Sequence, residues 1–267
     1  MRSVPAIIVW SAVCLGAWGC GGSSSPTSPT DTTSTGTNTN PATSSATWNF
    51  NGSTWSAVGT APACPSPLNL SVPVDLAKVT SILYPGQVRG EFKPHGGFRF
   101  DSAGQTNDVT VTSPISGVIY RGARYRSSGE PQYTFDLMNA CGILTRLGHL
   151  RDLSPRFAAL ADALPDNGDG DSRTTNFASG LTVALGEVIG TAIGVRSTSN
   201  VFLDWGVYDL RQRNASSNDP AWAAAHPGDV ALYGICWFDQ LSPANTAIVR
   251  SLPSADSVMG KTSDFCR

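Results

Sequence analysis

Only three histidines occur in this chain of 267 residues, and two of them stand where they could do chemistry. His95 opens the segment HGGFR (95–99), and His149 closes RLGH (146–149) ahead of a leucine. Asp204 lies in FLDWGV (202–207), where alternation places Phe202 and Asp204 on one strand face and Leu203 and Trp205 on the other. An imidazole at the mouth of a strand is a candidate metal ligand, and an imidazole near a carboxylate is a candidate general base. Arg99 argues the other way, because a permanent cation that only donates hydrogen bonds repels a metal ion. Asp101, two residues beyond Arg99, shares its strand face; a one-residue bulge would bring it toward His95 and Asp204 as a His/Asp/Asp ligand set. No G-x-S-x-G elbow, P-loop or G-x-G-x-x-G is present, nor any signature of a Ser, Cys or Lys nucleophile.

The elements that must position these residues read mostly as strands. Residues 113–125 (SPISGVIYRGARY) alternate, and 131–150 form two runs broken by NACG, a hairpin signal. A further strand is expected over 200–211, and 181–195 carries a short apolar run bracketed by Gly186 and Gly190. Helices are expected at 154–164, with Ser154 as N-cap and Pro155 at the first position, at PAWAAAHPG, and at 242–252. The fold class expected is mainly β, one antiparallel domain with a few short peripheral helices. With 14% charged residues, 27 Gly and a net charge of −2, nothing provides the clustered basic face that nucleic acid requires.

The N-terminus predicts export. Arg2, an apolar run too short to span a bilayer, and Gly19-Cys20 describe a signal peptide over 1–20. The approach to Cys20 resembles a bacterial lipobox, in which the cysteine is lipidated and anchors the chain to a membrane. Residues 21–46, rich in Ser, Thr, Gly and Pro, have no apolar content to bury and read as a disordered tether. A domain over 47–267 follows. The expected location is the cell envelope, at an outer membrane where one exists.

Four cysteines remain in the domain: Cys64, Cys141, Cys236 and Cys266. An oxidising compartment predicts two disulfides with three possible connectivities. Pairing Cys236 with Cys266 would tie down the C-terminal tail, and pairing Cys64 with Cys141 would tie the start of the domain to the core. None stands at a CxxC-type spacing, so a zinc site built on them is disfavoured.

Five segments, in order, resemble the lysostaphin/LytM family of zinc endopeptidases, which cut peptide cross-links in bacterial cell walls. HGGFR (95–99), SPISGVI (113–119), RLGHL (146–150), VALGEVIG (183–190) and FLDWGV (202–207) match the family's landmarks, "H-x-G-x-D", "A-P-x-x-G-x-V", "Y-x-H-L", "V-x-x-G-x-x-I-G" and "H-L-H-F-E-V". The resemblance covers a core of about 86–211 and implies the family's β fold. It puts His95 at the first zinc-ligand position and His149 at a catalytic histidine. It also puts Arg99 where the aspartate ligand stands, Phe202 where a catalytic histidine stands, and Asp204 where the third ligand stands.

A degenerate member is therefore implied. Arg99 is expected to pair with Asp204 in place of the metal's charge, with no cofactor and no cutting. The implied partners are cell-wall peptide (peptidoglycan) or a wall hydrolase that the domain would regulate. The alternatives are an active zinc endopeptidase using His95, Asp101 and Asp204 with His149 as base, and a structural surface lipoprotein. DNGDGDS (166–172) lacks the spacing of a calcium loop and reads as an exposed loop. Trp205 is expected in the core, whereas Tyr120, Tyr125, Tyr133 and Tyr208 are open candidates for a groove. The contribution of the extension 212–267 is not legible at this level.

Overall fold

The computed structural model describes residues 46–100 and 106–266. The expected signal peptide, nearly all of the tether, Cys20 and Asp101 lie outside the described residues. The domain is mainly β, as its alternating segments predict. Its eight-stranded main sheet comprises, in chain order, β1 (Ser81–Leu83), β2 (Gly96–Arg99), β3 (Gly117–Ser127), β4 (Glu130–Met138), β5 (Ile143–Leu150), β6 (Asp166–Asp169), β7 (Thr175–Val183) and β8 (Phe202–Asp209). In space the order is β6-β3-β4-β5-β8-β2-β1, with β7 pairing along another stretch of β3. The pairings are antiparallel with one exception: β6 runs parallel to β3, so the sheet is mixed where a purely antiparallel one was expected. That strand comes from the Asp/Gly run expected to be a loop.

Period-two alternation divides the central strands into two faces. Phe98, Leu203, Trp205, Val207, Thr145 and Leu147 point into the main core, where Trp205 and Trp237 stack with ring centroids 4.3 Å apart. Trp205 is fully buried, as expected, and its indole N–H donates to Thr145 Oγ1 at 2.8 Å, which satisfies both polar atoms. The opposite face carries Gly97, Arg99, Phe202, Asp204, Gly148 and Arg146, and it is the floor of a cleft. Farther along this face, Leu144, Tyr208 and Leu210 belong to a second apolar cluster beneath the Thr47–Phe50/Trp55–Val58 hairpin.

The element expected over 181–195 is two. Β7 ends at Val183, a turn at Gly186 (φ 77°) reverses the chain, and Val188–Gly190 pairs with Val111–Thr112 in a separate two-stranded sheet. Helix α1 (Pro155–Ala161) starts after Ser154 as predicted. The Ser154 hydroxyl, however, donates to the Val188 carbonyl and makes no side-chain cap bond. Helices α2 (Pro220–Ala225) and α3 (Pro243–Ser251) also form, with Asp219 and Ser242 capping their N-termini. No helix among the described residues is long and apolar enough to cross a membrane. Two disulfides join Cys64 to Cys141 and Cys236 to Cys266.

Candidate functional site

His95, Arg99, His149 and Asp204, far apart in sequence, line one polar cleft of about 460 Å³. Antiparallel pairing of β2 and β5 with β8 delivers them. Gly97 and Gly148 stand directly across from Asp204 on either side. The absence of side chains there is a steric requirement. A Cβ at Gly97 would collide with the Leu203 carbonyl oxygen, and one at Gly148 would sit 3.2 Å from the Asp204 Cβ. Gly96 is equally confined, between the Leu83 carbonyl and Pro85. The Gly-Gly pair after His95 is therefore strand with no room for a Cβ, not a hinge.

His149 reaches the cleft through a backbone irregularity. Regular alternation would turn it to the core, because Gly148 already occupies the cleft face. Between Leu147 and Leu150 the register of β5 against β4 shifts, and His149 adopts φ 59°, a left-handed conformation uncommon outside glycine. Such a conformation persists only where its surroundings fix it. Here the Gly194 N–H donates to the His149 carbonyl at 2.8 Å, and Phe202 packs on the imidazole with centroids 4.0 Å apart.

The hydrogen-bond network assigns the proton of His149. The fully buried Gln132 donates its amide to the carbonyls of Gly194 (2.7 Å) and Pro131 (3.0 Å), so its oxygen must face outward. That oxygen lies 3.2 Å from His149 Nδ1, with the Tyr125 hydroxyl 3.3 Å from the same nitrogen. Because an amide oxygen only accepts, Nδ1 carries the hydrogen. The Nε2 lone pair then points toward Asp204 Oδ2, 3.4 Å away. Burial lowers the proton affinity of His149, against the pull of the Asp204 charge, and favours the neutral ring.

The same carboxylate oxygen meets His95 Nε2 at 3.2 Å. Burial opposes ionisation of Asp204, but His95, with Arg89 behind it, outweighs burial and holds the carboxyl well below the usual range. His95 Nδ1 is buried without a hydrogen-bond partner. Asp204 and His149 Nε2 thus form a pair of adjacent acceptors, supported by His95, at the floor of the cleft. The chemistry such a pair offers is to receive a donor or a positive group: a peptide N–H, an ammonium or a proton.

Arg99 sits elsewhere than expected. It is paired in register with Phe202, and its guanidinium lies over that ring, 5.5 Å from the centroid. The carboxylate expected to pair with Arg99 carries two imidazoles instead. Arginine occupies the aspartate-ligand position of the zinc site that the resemblance implies, and a guanidinium only donates hydrogen bonds and repels a cation. Asp101, of the alternative ligand set, lies outside the described residues.

Sequence reasoning missed the charged network beside this floor. Asp136 on β4 is fully buried, faces Arg146 across β5, and accepts from it through both oxygens at 2.7 and 2.8 Å. Arg121 on β3 adds a bond at 2.5 Å and reaches on to Asp229. Burial raises the Asp136 carboxyl, yet Arg146 and Arg121 prevail and keep it ionised. The only sequence signal was three charged residues at positions where alternation points them to one face. Of the four tyrosines left open, Tyr125 lines the cleft and Tyr208 is fully buried in the second cluster. His226 caps α2, with its Nδ1 2.8 Å from the Trp222 carbonyl. No protein-family model, no curated protein and no solved structure matches the chain.

Proposed function

We propose that this chain is an exported envelope protein, lipid-anchored at Cys20, whose domain is a degenerate lysostaphin/LytM-type module that binds cell-wall peptide without cutting it. One observation carries it: the Asp204–His149 acceptor pair lies in an open polar cleft, beside an arginine where the resemblance would put an aspartate ligand. Peptide N–H groups and ammonium groups are the donors such a pair accepts, and a wall peptide offers N–H groups along its backbone and at its cross-links. Tyr125 and Phe202 flank the pair and supply apolar contact for an extended chain.

The test is co-sedimentation of the full-length protein with purified peptidoglycan, with and without chelator, alongside zinc analysis and assay of released peptide. Pelleting that ignores chelator, falls with Asp204→Asn and is accompanied by no release is the expected result. Stoichiometric zinc with chelator-sensitive release would replace this reading by the endopeptidase using His95, Asp101 and Asp204. Neither pelleting nor release would leave the spacer.

A further inference from the structure

The C-terminal extension has no counterpart in the core expected from the sequence, yet it packs behind the segment that carries Arg89 into the cleft. Gln87 is fully buried, and its amide donates to the carbonyls of Gly260 (2.9 Å) and Thr262 (2.8 Å). The Asp264 N–H donates to the Gly86 carbonyl at 2.9 Å, and the Ser263 hydroxyl donates to that of Pro85. The Phe265 ring lies so close to Gly86 and Gly234 that neither position has room for a Cβ. Cys266 then ties this tail to Cys236.

On its other side, Gln87 fixes an arginine. With the Gln87 amide N–H groups committed to the tail, its oxygen accepts from Arg89 Nη1 at 3.1 Å. The same Nη1 donates to the Tyr84 carbonyl at 3.0 Å, and Nη2 donates to the His95 carbonyl at 3.2 Å. Arg89 therefore joins three segments at the point where His95 enters β2. Its fork of donors is held by geometry that a lysine could satisfy only in part. His95 has no other described bond to its carbonyl, and its ring must meet Asp204 from this backbone position.

We propose that Gln87 and Arg89 are positioning residues, through which the disulfide-tied tail sets the His95 backbone and hence the His95–Asp204 contact. This assignment rests on reading the cleft as the ligand site. It gives the extension 212–267 a role: the tail is a buttress of the site and not an appended module.

The experiment records the imidazole NMR signals of full-length protein for wild type, Arg89→Ala, Arg89→Lys and the Cys236→Ser/Cys266→Ser pair, with thermal unfolding and peptidoglycan sedimentation measured alongside. In Arg89→Ala the His95 signals should move more than those of His226, which reaches the same hairpin only through the Phe92 ring. Arg89→Lys should restore part of the shift, and the cysteine pair should move His95 in the same direction as Arg89→Ala. Binding should weaken about tenfold in Arg89→Ala, the effect of losing one charge-assisted hydrogen bond. Unchanged His95 signals in a folded Arg89→Ala protein would overturn the proposal. So would unfolding of both Arg89 variants, which would make Arg89 a purely structural residue. If wild-type protein fails to sediment, the peptide-binding reading fails alone, because the His95 signals still decide the positioning role.

Discussion

Replacing Asp136 with Asn removes one negative charge and almost no volume from the network beside the cleft. Two guanidiniums converge on that carboxylate, through three hydrogen bonds of 2.5 to 2.8 Å. Asparagine keeps one acceptor oxygen but turns an N–H₂ group toward a cation. Removing one partner of a buried ion pair costs about 3–5 kcal/mol, chiefly from the charge left uncompensated. Arg121 retains Asp229, so the burden falls on Arg146, whose described hydrogen bonds and ion pair all go to Asp136. The lower half of that range, about 3–4 kcal/mol, is therefore expected. For a domain of this size it corresponds to a fall in Tm of roughly 6–16 °C. Urea unfolding at pH 7, with m-values compared to confirm the same transition, measures it directly. The triple variant Arg121→Met/Asp136→Leu/Arg146→Met should recover most of the loss, because it removes the charges together. A cost below about 1 kcal/mol for Asp136→Asn would refute the view that the carboxylate holds two buried cations together. The pH dependence has a fixed sign. A carboxyl whose pKa is depressed by folding contributes stability that is fully present above its unfolded value near 3.8 and is lost as pH falls through its folded value.

Other substitutions separate stability from binding. Gly97→Ala should destabilise by about 1–3 kcal/mol in urea unfolding, since its Cβ meets backbone that cannot move alone, and a neutral result would mean that β2 and β8 shift apart freely. Gly148→Ala meets side-chain atoms of Asp204 and Thr134 and no backbone, so it should leave Tm nearly unchanged and weaken sedimentation with peptidoglycan; unaltered binding would remove Asp204 from the contact. In an NMR titration His149 should protonate below about 6.5. The stability from its neutral ring is present above that value and lost as pH falls through the folded pKa, and a midpoint above it would contradict its burial. Cys64→Ser/Cys141→Ser, which opens a separation of 77 residues, should cost about 4–5 kcal/mol, and the cysteine pair separated by 30 should cost about 1 kcal/mol less. Equal costs would place the effect in the folded state.

Much of the scaffold was legible because it is written in period two. Phe202–Asp209 alternates cleanly, and its core face, Leu203-Trp205-Val207, is the one found. The Ser-Pro openings of α1 and α3 were sufficient to place both helices. Two of the strands missed have residues that carry little burial signal. Asp166–Asp169 is held at a sheet margin by backbone pairing, and the first half of β7, TNFASG, is largely exposed. The four candidate cleft residues do meet, but their partners were misjudged. Arg99 stands across from Phe202, two residues short of Asp204, a register that sequence order alone does not specify. A bulge in β5 carries His149 to the cleft, and the one weighed near Asp101 falls outside the described residues. Gln87, Gln132 and Arg89 could not be singled out, because an amide or guanidinium that orients its neighbour has no local pattern; only the carbonyls it meets reveal the role.

The bulge in β5 also makes the reading frame of that strand part of the site. Downstream of it Leu150 is fully buried, whereas upstream Gly148 faces the cleft. Loss of Gly148 would restore regular alternation with both leucines inside. It would also set His149 directly across from Asp204, where a Cβ lies 3.2 Å from the Asp204 Cβ, and away from its contact with Gln132. Homologous chains that vary freely in composition here should still conserve length. Drift by substitution is open to this strand, while drift by insertion or deletion is closed.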